Sequence, residues 1–260
     1  MSFAVSGTSP PPTDKFAAAR RTLPRGTRAS ERVVLFRPCP MAASAPLLQG
    51  PLATHPEAAN FAAEVHRIHR RYASEVVAAN RLCPFLRDVD TGFGAFVAML
   101  DPRPEPDVEA TVAAIRAAGN PVIHVVFPLI RPAPSLFERF SGRLSGALKR
   151  ALPNPPVMAT FHPDLVGDTD EPHRLVGLLR RAPDPFVQMI PQGMNEGGTV
   201  FAPLPGPGES MPIVPEPVDS AQVNFDKLKD GGVEPLLALI AEIRADRDRS
   251  YAPFLKAFGL

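Results

Sequence analysis

The sequence predicts an α/β protein with a small, mostly parallel sheet of three to four strands flanked by helices. Three observations predict it. Helical patterns alternate with short apolar runs through the middle of the chain, an order typical of helical crossovers between parallel strands. About 45% of the 260 residues are hydrophobic, which is enough to bury a sizeable core. The 33 prolines indicate long irregular segments, because proline is excluded from helix interiors and central strands.

Residues 1–56 are predicted to be a disordered Pro/Arg-rich arm. They hold nine prolines, seven basic residues and two acidic ones, a composition that disfavours a packed core. An alternative is a transit peptide, since the arm is arginine-rich and acid-poor, and Met41 is an alternative start. The apolar run at 33–36 is a possible edge strand.

An α/β domain is predicted over residues 57–191. Apolar residues spaced three and four apart predict a helix from Ala58 to about Leu82, where Pro84 disfavours helical geometry. The predicted strands are 94–100, 122–127 and 157–161. The other predicted helices are 108–118 ended by Gly119, a helix from Ser135 to 151 with Ser135 and Glu138 as a capping box, and 171–181.

The last seventy residues divide into a loop and closing helices. Residues 192–219 contain six prolines and five glycines, which predict a long loop, and the run at 200–201 is a second possible extra strand. Residues 220–260 predict two or three helices that pack on the α/β domain, because they contain one clear apolar stripe, formed by Leu236, Leu237, Ile240 and Ile243.

Composition also excludes several classes of protein. The 28 basic and 27 acidic residues nearly cancel, which argues against nucleic acid or an anionic membrane as partner. No apolar run is long enough to span a membrane, and two cysteines exclude a disulfide scaffold. Phosphate-binding glycine loops and the serine-hydrolase elbow are both missing. We expect a cytoplasmic protein with a small-molecule ligand, and the sequence leaves the cofactor and the oligomeric state open.

The first candidate for chemistry is Cys83, in the run Leu82-Cys83-Pro84-Phe85. A thiol becomes a nucleophile or a metal ligand when a cation or a helix N-terminus lowers its pKa. Here the predicted position is a helix C-terminus, where the dipole disfavours a thiolate. The alternative is a small buried hydrophobic residue.

The second candidate is His162, which follows the third predicted strand within Phe161-His162-Pro163-Asp164. Ligands of open parallel sheets bind outside the carboxyl ends of the strands, so we expect His162 to be partly accessible there. His162, Asp164 and His173 are candidate acid/base groups or ligands of a divalent metal. The alternative is ordinary loop chemistry, since acidic turns with glycine and proline are common.

Other polar residues are predicted to be structural. His66 and His69 fall beside three arginines and predict a solvated basic face, and His124 predicts a satisfied core histidine. A solvated face is also expected for the basic residues of the third helix, which are Arg139, Arg143, Lys149 and Arg150.

Several of these motifs together resemble the bacterial family called domain of unknown function 1415. The shared elements are Tyr72–Val77, Asn80–Phe85, Phe161–Asp164 and Arg181–Pro185, with a weaker match at Asn224–Gly231. The resemblance covers about residues 72–231 and strengthens Cys83 and His162 as site residues, but it implies no activity.

Three positions depart from the family pattern. Gln188 stands where the family usually has a histidine, and Pro191 or Gln192 stands where an arginine follows it. Asp184 replaces an aromatic residue. The first hypothesis for the function is a small-molecule enzyme with Cys83, His162 and Asp164 as catalytic residues. We expect Cys83 to lie on the His162 side of the sheet. The alternatives are a non-catalytic binding or scaffold protein with structural motifs, and a metal-handling protein.

Overall fold

The structure is a computed structural model that describes residues 45–83, 86, 89, 93–191 and 220–260. Its strands are β1 (Leu47–Gln49), β2 (Ala95–Met99), β3 (Ile123–Val126), β4 (Val157–Phe161) and β5 (Phe186–Ile190). Its helices are α1 (Ala58–Arg71), a π-helix (Tyr72–Ala78), α2 (Val108–Ala118), α3 (Pro134–Ala151), α4 (Pro172–Leu179), α5 (Ser220–Gly231) and α6 (Glu234–Ala257).

The strands form one sheet in the order β1-β2-β3-β5-β4. β1, β2 and β3 are parallel, while β5 runs antiparallel to both β3 and β4. Four of the five strands therefore point the same way, and their carboxyl ends meet at one edge. The α/β class is confirmed.

The predicted number of strands is too low. β1 lies inside the predicted disordered arm, so packed structure begins before residue 57. β5 was missed because it is an antiparallel strand inserted between β3 and β4, which the alternation of helices and parallel strands did not indicate. The two extra strands proposed at 33–36 and 200–201 lie outside the described residues, as do most of the arm and the loop 192–219.

The two faces of the sheet carry different helices. On the first, here called the α1 face, Phe96, Ala98, Val126 and Phe186 pack against α1, the π-helix, α4 and α6. On the second, the α3 face, the sheet residues pack against α2 and α3. The buried residues of the α3 face include Val97, Met99, Val125, Val187, Phe137, Phe140 and Leu144.

The first helix starts at Ala58 as predicted, but its last part is a π-helix that ends at Ala78. The Asn80 side chain donates to the carbonyls of Glu75 and Val76 and so caps that end. Arg81 takes a left-handed conformation with φ 50°, which is uncommon for a residue other than glycine. The chain thereby turns sharply just before Cys83.

The ends of α2 and α3 show which of the capping signals in the sequence the structure uses. Asp107 accepts from the Ala110 N–H at 3.0 Å, and Gly119 ends α2 in the left-handed conformation, as predicted. The predicted capping box of α3 is wrong. Pro134 occupies the first turn, and Ser135 is already inside the helix because proline starts a helix with its fixed φ.

The closing helices were predicted correctly in type. α6 packs along α1, where the Phe61 and Tyr251 rings meet edge to face with centroids 4.9 Å apart. On the outer side of the two helices, Arg71 of α1 forms ion pairs with Asp246 of α6 at 2.9 Å and with Glu242 of α6. Within the described ranges, no helix is both long and apolar enough to cross a membrane.

Candidate functional site

His162 lies at the carboxyl end of β4, as predicted, but it is buried, with only 1% of its surface exposed. Its Nε2 lies 2.9 Å from the Pro132 carbonyl oxygen, and its Nδ1 accepts the Asp164 N–H at 3.1 Å. Since a carbonyl can only accept, Nε2 carries the proton and the ring is neutral. The Phe137 ring covers it at a centroid distance of 5.7 Å. The prediction of an accessible His162 is therefore wrong.

The electrostatics agree with this structural role. Burial lowers the pKa of His162, although its bond to the Pro132 carbonyl acts in the opposite direction. Both ring nitrogens are occupied by backbone groups. His162 thus ties the end of β4 to the segment before α3.

Asp164 bonds the His162 ring through its backbone rather than through its carboxylate. Its carboxylate is exposed and accepts from Arg244 of α6 at 3.0 Å, while only its backbone N–H reaches the ring. His173 lies in a cleft on α4. In the described part of the chain, no three His, Cys, Asp or Glu side chains are close enough to hold a metal ion. This finding gives no support to a metal site at His162, Asp164 and His173, and that assignment stays a prediction.

Cys83 lies just past the left-handed turn at Arg81 and is half-buried against the core of the α1 face. His162 is on the other side of the sheet. Side chains alternate along β4, so Phe161 stacks on Phe186 of the α1 face at 4.2 Å, while His162 meets Phe137 of the α3 face. This placement gives no support to one shared site. The catalytic assignment of Cys83, His162 and Asp164 stays a prediction.

A cleft of about 470 Å³ opens beside β4, the edge strand next to His162. It is bounded by Thr160 of β4, Glu138 of α3, the loop 165–167 and the length of α4. Its lining residues are Glu138, Thr160, Leu165, Val166, Gly167, His173, Arg174, Val176, Gly177 and Arg180. Apart from His173, sequence reasoning missed this site.

Arg180 is the distinctive group of the cleft. Its guanidinium is half-buried above the Phe161 ring, 5.7 Å from the centroid. Among the residues described, no carboxylate pairs with it, whereas the neighbouring Arg174 forms an ion pair with Asp168. Burial lowers the pKa of Arg180, and the nearby Tyr72 and Cys83 partly offset that effect.

Hydrogen bonds to two backbone carbonyls hold the end of α4 in place behind the cleft. The Tyr72 hydroxyl donates to the Leu179 carbonyl at 3.0 Å, and the His162 N–H donates to the Arg180 carbonyl at 3.2 Å. Burial raises the pKa of Tyr72, so the hydroxyl keeps its proton. The end of α4 is thus fixed to both the π-helix and β4, and this positions Arg180.

A second polar cluster lies between α6 and the sheet and is closed to solvent. Asp184, with 0% of its surface exposed, accepts from Arg247 at 2.8 Å and from the Tyr251 hydroxyl at 2.9 Å. Arg247 also donates to the Pro128 carbonyl at 2.7 Å. The only signal in the sequence was that Asp184 departs from the family's aromatic residue.

The histidines differ from the expected pattern. His69 is 2% exposed rather than on a solvated face, and its Nε2 lies 3.8 Å from an Asp184 carboxylate oxygen. His66 is half-buried against Phe96. His124 is a core histidine, as predicted. Its Nε2 bonds the Gln188 amide at 2.9 Å, but in the described structure its Nδ1 has no partner.

Comparisons with protein families, with curated proteins and with solved structures found no match for this chain. Its resemblance to domain of unknown function 1415 therefore stays a prediction from the motifs.

Proposed function

We propose that this protein binds a small anionic molecule, carrying a carboxylate or phosphate group, in the cleft beside β4. The observation that supports the proposal is the half-buried Arg180 guanidinium, which lines the cleft without a carboxylate partner among the described residues. Removing a cation from water is unfavourable unless an anion or hydrogen bonds replace the lost hydration. A bound anion would supply that compensation.

The surroundings of Arg180 suit such a ligand. Arginine presents a planar fork of N–H donors that matches carboxylate and phosphate oxygens. Arg174 and His173 also line the cleft, and Glu138 is the single acidic residue among its lining groups. The volume is within the range of small-molecule sites, roughly 300–1,000 Å³.

The test is calorimetric titration at low salt with inorganic phosphate and with succinate. Replacing Arg180 with glutamine should weaken binding by about tenfold or more, because the charge-assisted bonds are lost. Arg139→Gln is the matched control, since Arg139 is an exposed arginine on α3 outside the cleft lining. Wild type that binds neither anion, or an Arg180→Gln variant that binds both as well as wild type, would contradict the proposal.

A second candidate is an enzyme that acts on this anion, with Cys83 as the reactive group. One observation favours it: Cys83 packs against the core cluster that contains Tyr72, and a charged thiolate there would raise the pKa of both Tyr72 and Arg180. A neighbouring guanidinium favours the thiolate form of a cysteine. His162 and Asp164 keep the roles of the original hypothesis only as predictions, because their observed contacts are structural.

Thiol reactivity tests this second candidate. Iodoacetamide should alkylate Cys83 more slowly in Arg180→Gln than in wild type and Arg139→Gln, with modification located by peptide mass mapping to separate it from Cys39. Equal rates at Cys83 in all three proteins would remove the support for a reactive thiol. The non-catalytic binding function would then stand alone.

A further inference from the structure

We infer that the ligand of this cleft is amphiphilic, with its carboxylate carried on an aliphatic or aromatic body. The inference depends on the anion site proposed at Arg180 and adds the part of the ligand that Arg180 does not contact. It arises from the apolar side chains that share the cleft with the cations. Those side chains are Leu165, Val166 and Val176.

Val166 is the most exposed apolar side chain of the cleft. It is 85% exposed, the highest value of any large hydrophobic side chain in the described structure. Single exposed apolar residues are common on protein surfaces, but this one lines the same cleft as Arg180. Leu165 beside it is buried, and Val176 lies on the facing turn of α4. An apolar ligand body in this cleft would cover Val166.

The loop that carries Val166 packs closely against α4. A Cβ atom added to Gly177 would lie 2.1 Å from the Val166 carbonyl oxygen, and one added to Gly167 would lie 2.4 Å from the Arg174 carbonyl oxygen. The Arg181 side chain also donates to the Leu165 carbonyl at 2.9 Å. Backbone therefore packs directly on backbone beside Val166, whose side chain is left exposed in the cleft.

This arrangement predicts a preference that depends on chain length. Each methylene transferred from water to an apolar wall strengthens binding by about fourfold. Hexanoate has four more methylenes than acetate, and an open cleft would bury only part of them. We therefore expect hexanoate to bind about tenfold or more tightly than acetate. Hexylamine has a similar chain but a positive head group, and it should not bind.

The experiment titrates acetate, hexanoate and hexylamine into wild type, Val166→Ser and Arg180→Gln. Val166→Ser should remove most of the advantage of hexanoate and leave acetate binding within about twofold. Leu136→Ser is the control, because Leu136 is an exposed apolar residue on α3 outside the cleft lining. Circular dichroism melting curves verify that each variant is folded. We expect Val166→Ser to fold like wild type, because Val166 is largely exposed.

The outcomes separate the two proposals. If acetate binding disappears in Arg180→Gln but wild type binds hexanoate no more tightly than acetate, the amphiphilic ligand is wrong and the anion site stands. If hexylamine binds as tightly as hexanoate, the apolar wall acts without Arg180 and this inference is also wrong. If wild type binds neither carboxylate, both proposals fail for this class of anion.

Discussion

Replacing Arg247 with methionine should lower the free energy of unfolding by about 3–5 kcal/mol, because it leaves a buried carboxylate without its cation. Asp184 has no exposed surface and accepts bonds from Arg247 and Tyr251. In the variant the polar neighbours left to Asp184 would be the Tyr251 hydroxyl and the His69 ring, whose Nε2 lies 3.8 Å away. The Pro128 carbonyl would also lose its donor at 2.7 Å.

The effect should depend on pH in a defined direction. Burial already raises the pKa of Asp184, and Arg247 opposes that rise. Without Arg247 the pKa of Asp184 rises further above its value in the unfolded chain, so the folded variant takes up a proton more readily. An acid with a raised folded pKa gains stability as the pH falls. The deficit of Arg247→Met relative to wild type should therefore narrow between pH 7 and pH 5.

Urea unfolding followed by circular dichroism measures these differences. Arg249→Met is the matched control on the same helix, because Arg249 is 72% exposed and lies 4.0 Å from its nearest acid. We expect the control to change stability by less than about 0.5 kcal/mol. The double variant Asp184→Asn/Arg247→Met should lose less than the sum of the two single losses, by on the order of 2 kcal/mol.

A loss below about 1 kcal/mol in Arg247→Met would refute this reasoning, since the cost of a buried unpaired carboxylate would then be missing. Strict additivity in the double variant would refute it independently. A deficit that widens on acidification would show that Asp184 does not titrate as argued.

Two further predictions concern single positions. Burial lowers the pKa of His124 to about 4 in the folded protein, below about 6.5 in the unfolded chain. The unfolded chain therefore binds a proton more readily, and the free energy of unfolding decreases as the pH falls from about 6.5 towards 4. His124→Gln should lose about 2 kcal/mol less than wild type between pH 7 and pH 5 in urea titrations, and equal losses would be evidence against a buried neutral imidazole. Gly177→Ala should cost on the order of 1–3 kcal/mol, because its Cβ would lie 2.1 Å from the Val166 carbonyl oxygen. Gly142→Ala, with no neighbour within 4 Å, should instead stabilise its helix by up to about 1 kcal/mol. Thermal unfolding followed by circular dichroism compares the two variants. A Gly177→Ala variant more stable than Gly142→Ala would show that the loop carrying Val166 moves freely.

Local patterns predicted much of the helical structure. The apolar stripe starting at Ala58, the end of α2 at Gly119 and the closing helices all depend on residues within a few positions of one another. The strand at Val157–Phe161 was predicted with its observed bounds, because it lies between prolines and a His-Pro turn. Such signals are read directly from spacing.

The arrangement of the strands was decided by the tertiary structure. β5 enters the sheet between β3 and β4 and runs against both, which the order of elements along the chain did not indicate. The alternation along β4 then places Phe161 and His162 on opposite faces. A motif that is continuous in sequence is thereby divided between two cores. Phe161 packs with the core of the α1 face, where Cys83 also lies, and His162 packs against Phe137 of the α3 face.

The α/β class, the alternation of elements and the position of His162 at the end of a strand could all be read from local patterns in the sequence. Which polar groups have partners depends instead on how the elements pack. Asp184 and Arg247 are separated by 63 positions, yet they form a buried pair, while Arg180 reaches the cleft without a carboxylate partner in the described structure. The physical reason is that secondary structure depends on neighbours along the chain, whereas burial and ion pairing depend on which helix packs on which face of the sheet.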